Sequence, residues 1–153
     1  LNEKEIEFVQ WIPASLDEVF AFFSAASNLE KLTPPWLHFK IIGQSTPQIQ
    51  KGTLIDYQLK LRGLPFKWKT LIEEWNPQHS FVDTQLKGPY KLWHHTHIFE
   101  AKDGGVLVTD RIRYEVPMGL IGDLVAGNYV KKDVTKIFNY RKKIISEIFP
   151  EKN

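Results

Sequence analysis

GPYKLWHHTHIFEAKDGGVLVTDRIRYEV, residues 88–116, is two alternating runs joined by a tight turn. Side chains on a strand point to opposite faces in turn, so Trp93, His95, His97 and Phe99 share one face and Leu92, His94, Thr96 and Ile98 the other. Asp103-Gly104-Gly105 is a strong hairpin signal. Beyond it Val106, Val108, Asp110, Ile112, Tyr114 and Val116 fall on one face, while Thr109, Arg111, Arg113 and Glu115 fall outside. A tight turn places Asp110 opposite His97 or close to it. Two antiparallel strands thus carry two imidazoles and a carboxylate on an otherwise apolar, aromatic wall.

The same period of two runs upstream. His38–Gln44 is one strand. Lys51–Leu61 turns Ile55, Tyr57, Leu59 and Leu61 one way. A turn at Gly63 and Pro65 leads to Phe66–Trp75, with Phe66, Trp68, Thr70 and Ile72 on one face. Asn76-Pro77 turns into Ser80–Leu86, and Gly88-Pro89 into the histidine strand. Short turns between consecutive strands make an antiparallel meander. Before it lie a first strand over Glu5–Ile12, a short helix opened by Ser15 and Glu18 as a capping box, and a second short helix over Asn28–Leu32, stopped by Pro34 and Pro35.

After the meander the period changes. Gly122 to Phe149 lacks proline, and Val130, Val134, Ile137, Phe138, Arg141, Ile145 and Ile148 follow helical spacing, with Lys131, Lys132, Lys142 and Lys143 mostly outward. This helix is long enough to cross a sheet. Its apolar side needs a partner, and the inner face of the meander is the only large one available.

Composition bounds the function. The 153 residues suit one domain, 1–153, with a real core. A formal charge of +2 is too small to imply a polyanionic partner, and acidic residues interrupt the outer lysines and arginines, so no nucleic acid is expected. Zero cysteines exclude disulfides and thiolate chemistry. LNEKEIEF carries no secretory pattern and no run spans a membrane, which fits a cytoplasmic protein. Ten Phe, five Tyr and five Trp suit a core, and equally a pocket for an apolar molecule.

Several stretches resemble a known superfamily. Leu29-Glu30-Lys31-Leu32-Thr33-Pro34, Gly63-Leu64-Pro65-Phe66-Lys67-Trp68 and Phe81-Val82-Asp83-Thr84-Gln85 carry the likeness. So do Gly88-Pro89-Tyr90 with Trp93-His94-His95-Thr96-His97, Pro117-Met118-Gly119, and Ile137-Phe138-Asn139-Tyr140-Arg141. With the element order, they resemble the START/SRPBCC superfamily (helix-grip, Bet-v-like), and within it a bacterial branch of ligand-binding proteins related to polyketide cyclase/dehydrase-type domains. The resemblance implies an α+β helix-grip fold: a curved antiparallel sheet of about seven strands wrapped around the long C-terminal helix. It implies an internal cavity between them. It does not choose among lipid transfer, hormone binding and cyclisation, which share this scaffold.

Parity assembles the wall of such a cavity: Tyr57 and Leu59; Trp68 and Thr70; Phe81, Asp83 and Gln85; Trp93, His95, His97 and Phe99; Asp110, Ile112 and Tyr114. Inward polar groups must be paired, so Asp83, Gln85, His95, His97 and Asp110 bond one another, water or ligand. Arg141, on the apolar side of the helix, either meets Asp83 or a ligand carboxylate, or snorkels to the surface. His95 and His97 with a carboxylate suggest a metal, but no fourth ligand presents itself and none is expected; nor is any cofactor. An Asp110–His97 or Asp110–His95 pair fits a general base, against the plainer reading of two satisfied buried groups. The ligand-binding set is then Tyr57, Trp68, Asp83, Gln85, Trp93, His95, His97, Asp110, Tyr114 and Arg141. Two apolar loops, around Trp36 and over Met118, Leu120 and Ile121, fall at the expected cavity mouth, where they gate entry, dock on a membrane or partner, or fold onto the core. Three functions follow: binding of a small, mostly apolar molecule (lipid, isoprenoid or polyketide-like); a cyclase/dehydratase-type enzyme using the His–Asp pair; or a docking protein.

Overall fold

The structure is a computed structural model that describes residues 3–152, with side chains 119–127 excepted. Strand β1 (Lys4–Ile12) is followed by helices α1 (Leu16–Phe23) and α2 (Ala26–Leu32) and a 3₁₀ turn at Pro35–Leu37. Strands β2 (Lys40–Gln44), β3 (Leu54–Leu61), β4 (Leu64–Asn76), β5 (Ser80–Lys87), β6 (Leu92–Lys102) and β7 (Gly105–Glu115) then run as a meander, and helix α3 (Gly119–Ile148) closes the chain. The strands form one antiparallel sheet in the order β1-β7-β6-β5-β4-β3-β2.

Local chemistry explains the elements. Ser15 accepts a hydrogen bond from the Glu18 amide at 3.2 Å, capping α1. Two-residue turns join β3 to β4 and β6 to β7, with positive φ at Arg62 (52°), Gly63 (79°), Asp103 (51°) and Gly104 (76°). That left-handed pair matches the strand twist and is cheapest with glycine second. Pro65 therefore belongs to β4, opposite Lys60, rather than to the turn.

The tight turn at Asp103-Gly104 sets the register Lys102↔Gly105, and hence His97↔Asp110, with no shift along β6. His95 and His97 are accordingly buried. His94 faces the other side, 3.5 Å from Glu73. Bulges interrupt the ladders at Ile41/Gly43, Lys69/Thr70 and Ile72/Glu74. Bulges bend a strand and re-aim its side chains. The last of them brings Trp75 inward against Phe20 and Phe81, both at 5.3 Å, where strict alternation would have placed Glu74.

Helix α3 buries Val134, Phe138, Arg141 and Ile145, a stripe at helical spacing. Phe138 stacks on Phe8 of β1 at 4.3 Å, and Phe20 of α1 meets Phe99 of β6 at 5.2 Å. The helix begins at Gly119, with Met118 as its left-handed N-cap, and not at Gly122. Leu120 and Ile121 thus stand in its first turn rather than in a loop; their side chains lie outside the described set. Outward basic residues are matched by carboxylates: Arg62 with Asp133, Lys69 with Asp56, Arg111 with Glu7 and Arg113 with Glu3. Among the described residues, no helix is long and apolar enough to cross a membrane.

Candidate functional site: a polar cluster on an aromatic cavity

Helices α1, α2 and α3 do not fill the concave side of the sheet. A cavity of about 200 Å³ remains. Its lining is mostly apolar: Phe22 and Phe23 of α1, Leu29 and Leu32 of α2, Leu37, Phe39, Tyr57 and Leu59 of β3, Trp68 and Ile72 of β4, Phe81, Tyr90, Trp93, and Val134, Ile137 and Phe138 of α3. For scale, an engineered apolar cavity of about 150 Å³ takes up benzene. Some of these aromatic rings pack edge to face. Trp68 meets Tyr90 at 5.7 Å and Trp93 at 5.5 Å.

Two polar groups interrupt this lining. In the smaller, the Tyr57 hydroxyl lies 2.6 Å from Thr70 Oγ1, which also accepts from Trp68 Nε1 at 3.1 Å. Burial pushes the Tyr57 hydroxyl far above its ordinary range, so it stays a neutral donor.

In the larger, Asp83, His95 and His97 line the cavity with Arg141, and Asp110 stands behind them. Backbone register sets Asp83 opposite His95 and His97 opposite Asp110, but the side chains bond on the diagonal. His95 Nε2 is 2.7 Å from Asp110 Oδ1, and His97 Nε2 is 2.5 Å from Asp83 Oδ2. Longer ion-pair contacts, His97 Nδ1 to Asp110 at 3.3 Å and His95 Nδ1 to Asp83 at 3.7 Å, complete a ring of four groups. The imidazoles stack on each other at 3.7 Å, and His97 stacks on Phe81 at 4.0 Å. Arg141 Nη2 is 3.7 Å from Asp110 Oδ1.

The charges follow from this geometry. Burial opposes ionisation of Asp83, but His95, His97 and Arg141 outweigh it and hold the carboxyl below its ordinary range. Burial likewise opposes the Asp110 charge, and Arg141 with both histidines holds that carboxyl lower still. Burial and the neighbouring His97 depress His95, which favours its neutral form. For His97, burial is overcome by its contacts with Asp110 and Asp83, and its pKa rises. A proton on the pair thus settles on His97. Two carboxylates then face one guanidinium and one imidazolium, and the cluster is close to neutral overall. Asp83, His95 and His97 offer ligand atoms within 4.8 Å of one another, the spread of a three-ligand cation site. Two of these residues already hydrogen-bond each other, and Arg141 supplies counter-charge, so the group coheres without a cation.

Other expected residues lie elsewhere. Gln85 does not face the cavity: its amide donates to the Tyr90 carbonyl at 2.6 Å and accepts from the Tyr90 amide at 3.1 Å, pinning the β5–β6 turn. Tyr114 is buried with Ile112, Val134 and Phe138 and is not on the cavity wall. Asp110 lines a second recess, between β1 and α3, rather than the main cavity. Trp36 is half exposed against Tyr140, 5.8 Å away; its neighbour Leu37 is the one on the wall. Met118 is 76% exposed. Tyr90 and Phe39 line the cavity unforeseen. Both sit in irregular segments, where alternation says nothing; the only signal was their aromatic character.

No family model matches the chain, and no curated protein matches its sequence. Solved structures do. Ginseng major latex-like protein 151 from Panax ginseng superposes with a TM-score of 0.70 at 13% identity, over 97% of this chain and 99% of that one. Protein CV1439 from Chromobacterium violaceum gives 0.74 at 12% identity, over 97% and 99%. The di-domain ARO/CYC StfQ from the steffimycin biosynthetic pathway gives 0.75 at 11%, over 96% of this chain and 50% of that one. The chain has the helix-grip fold. At these identities the likeness carries the fold and nothing finer.

Proposed function

We propose that this helix-grip chain binds a small, mostly apolar molecule between sheet and α3. Tyr57, Trp68 and Trp93 supply the contact area, and the Asp83–His95–His97–Arg141 patch supplies hydrogen bonds to a polar group of the ligand. The observation that carries the reading is an aromatic-lined cavity of about 200 Å³ with a buried, internally bonded His–Asp patch on its wall. Apolar lining with a few convergent polar groups is the ordinary make-up of a small-molecule site. The cavity is small, so a ligand of one or two rings, or a short chain, fits without rearrangement. Native mass spectrometry of gently purified protein tests this. A co-purified apolar small molecule, lost on Trp93→Ala, supports the reading; mass equal to the bare chain together with no uptake of neutral aromatic probes contradicts it.

A second reading is favoured by the same patch. His97 is held by Asp83 and lines the cavity, which supports a general base or acid role toward a carbonyl compound. This is the cyclase/dehydratase reading. It requires that His97→Gln abolish turnover of a polyketide-like substrate while leaving its binding intact. Equal loss of binding and turnover returns His97 to a ligand-holding role.

A further inference from the structure

Arg141 stands out among the polar groups of the cavity. It is 7% exposed, on the buried stripe of α3, and lines the wall. Phe23 and Phe138 flank its guanidinium at 5.2 and 5.3 Å. Among the described residues it makes no hydrogen bond: Asp110 Oδ1 is 3.7 Å from Nη2, beyond hydrogen-bond length, and buried Nε has no partner. Asp110 Oδ1 is already committed to His95 at 2.7 Å, and Asp83 to His97. A guanidinium has five donors and no acceptor, and it stays charged in proteins. A buried donor left without an acceptor is unfavourable, and Nε is one here.

We propose that the ligand of this cavity is an aromatic or aliphatic carboxylic acid, whose carboxylate is seated on Arg141 while its apolar body lies along Tyr57, Trp68 and Trp93. This rests on the apolar-ligand reading above and names its chemical class. A carboxylate matches the planar fork with two parallel bonds. A phosphate would bring a second negative charge beside Asp83, and among the described residues the wall offers no second unbonded cation. A neutral carbonyl offers a single acceptor atom, so it cannot match the fork with two parallel bonds.

The test compares two near-isosteric probes, 2-naphthoic acid and 2-acetonaphthone, by calorimetry at neutral pH, on wild type and Arg141→Met. The expected result is a wild-type preference for the acid of at least about tenfold, which collapses in Arg141→Met because the acid loses far more affinity than the ketone. Equal binding of the two probes by wild type overturns the carboxylate but leaves the apolar site standing. A preference that survives Arg141→Met overturns the role of Arg141. Binding of neither probe removes the apolar-ligand reading and this inference with it. Should Arg141→Met fail to fold, Arg141→Lys decides, since it keeps the charge and loses the fork: the preference narrows if the proposal holds and is unchanged if it does not.

Discussion

At the scale of residues, the polar patch beside the cavity is held together by four side chains that bond one another on the diagonal. Alternation and the Asp103-Gly104 turn were enough to put His95, His97, Asp83 and Asp110 on one face, because period and register are set by local chemistry. Which imidazole takes which carboxylate was not legible. That depends on rotamers, and here the shortest bonds run His95–Asp110 and His97–Asp83, against the backbone pairing. Gln85 was misplaced for a similar reason: its parity is inward, but its amide finds the Tyr90 backbone first.

The cluster makes two predictions about protons. In an NMR titration His97 should ionise above 6.5 and His95 below it, because the two carboxylates favour the His97 proton while burial and His97 disfavour a second. The reverse order, or two unshifted histidines, would refute the charge assignment. A base with a raised folded pKa adds stability that is full below its unfolded pKa and is lost as pH rises through the folded value. Asp110 works in the opposite sense. Its folded pKa is held well below 3.8, so its contribution is present above 3.8 and lost as pH falls through the folded value. Asp110→Asn should therefore cost about 1.5–3 kcal/mol at neutral pH. The gap in melting temperature to wild type should narrow steadily below pH 3.8. A gap independent of pH would show that the carboxylate charge contributes nothing.

At the scale of elements, hairpins and the long helix were readable because each has a strong local signal: left-handed dipeptides at the turns, a proline stop at Pro150, a capping serine at α1. The irregular places were not. The bulge at Ile72/Glu74 leaves no mark in the sequence, yet it decides that Trp75 joins the core beneath α1. The start of α3 was missed because the apolar stretch over Met118, Leu120 and Ile121 read as a loop at the cavity mouth. Met118 adopts the left-handed cap instead, and glycines are tolerated in a first helical turn. Two substitutions test the packing. Ser15→Ala should lower stability by about 1 kcal/mol through loss of the α1 cap, measured by urea denaturation. Phe138→Ala removes both the stack on Phe8 and part of the cavity wall, and should cost about 3–5 kcal/mol. A loss under 1 kcal/mol would mean that α3 is not held to β1 by that stack.

At the scale of the molecule, seven strands curve around α3 and leave space that neither helix nor side chain fills. Solved proteins of 11–13% identity share this arrangement, so the scaffold alone does not set the chemistry. Cavity filling offers a direct check on that space. Leu59→Trp places a large ring in the space, and it should abolish uptake of aromatic probes while costing about 1–3 kcal/mol of stability. Unchanged uptake would place the probe elsewhere.

The five tryptophans give the most direct measurement of all. Trp68 and Trp93 line the cavity, whereas Trp11 and Trp36 are exposed outside it. Their indole N–H resonances can be followed in a ¹⁵N-correlated spectrum during titration with 2-acetonaphthone, a neutral probe that asks nothing of Arg141. The account predicts saturable shifts at Trp68 and Trp93 while Trp11 and Trp36 hold still. Shifts confined to Trp11 or Trp36, or none at saturating probe, would contradict it.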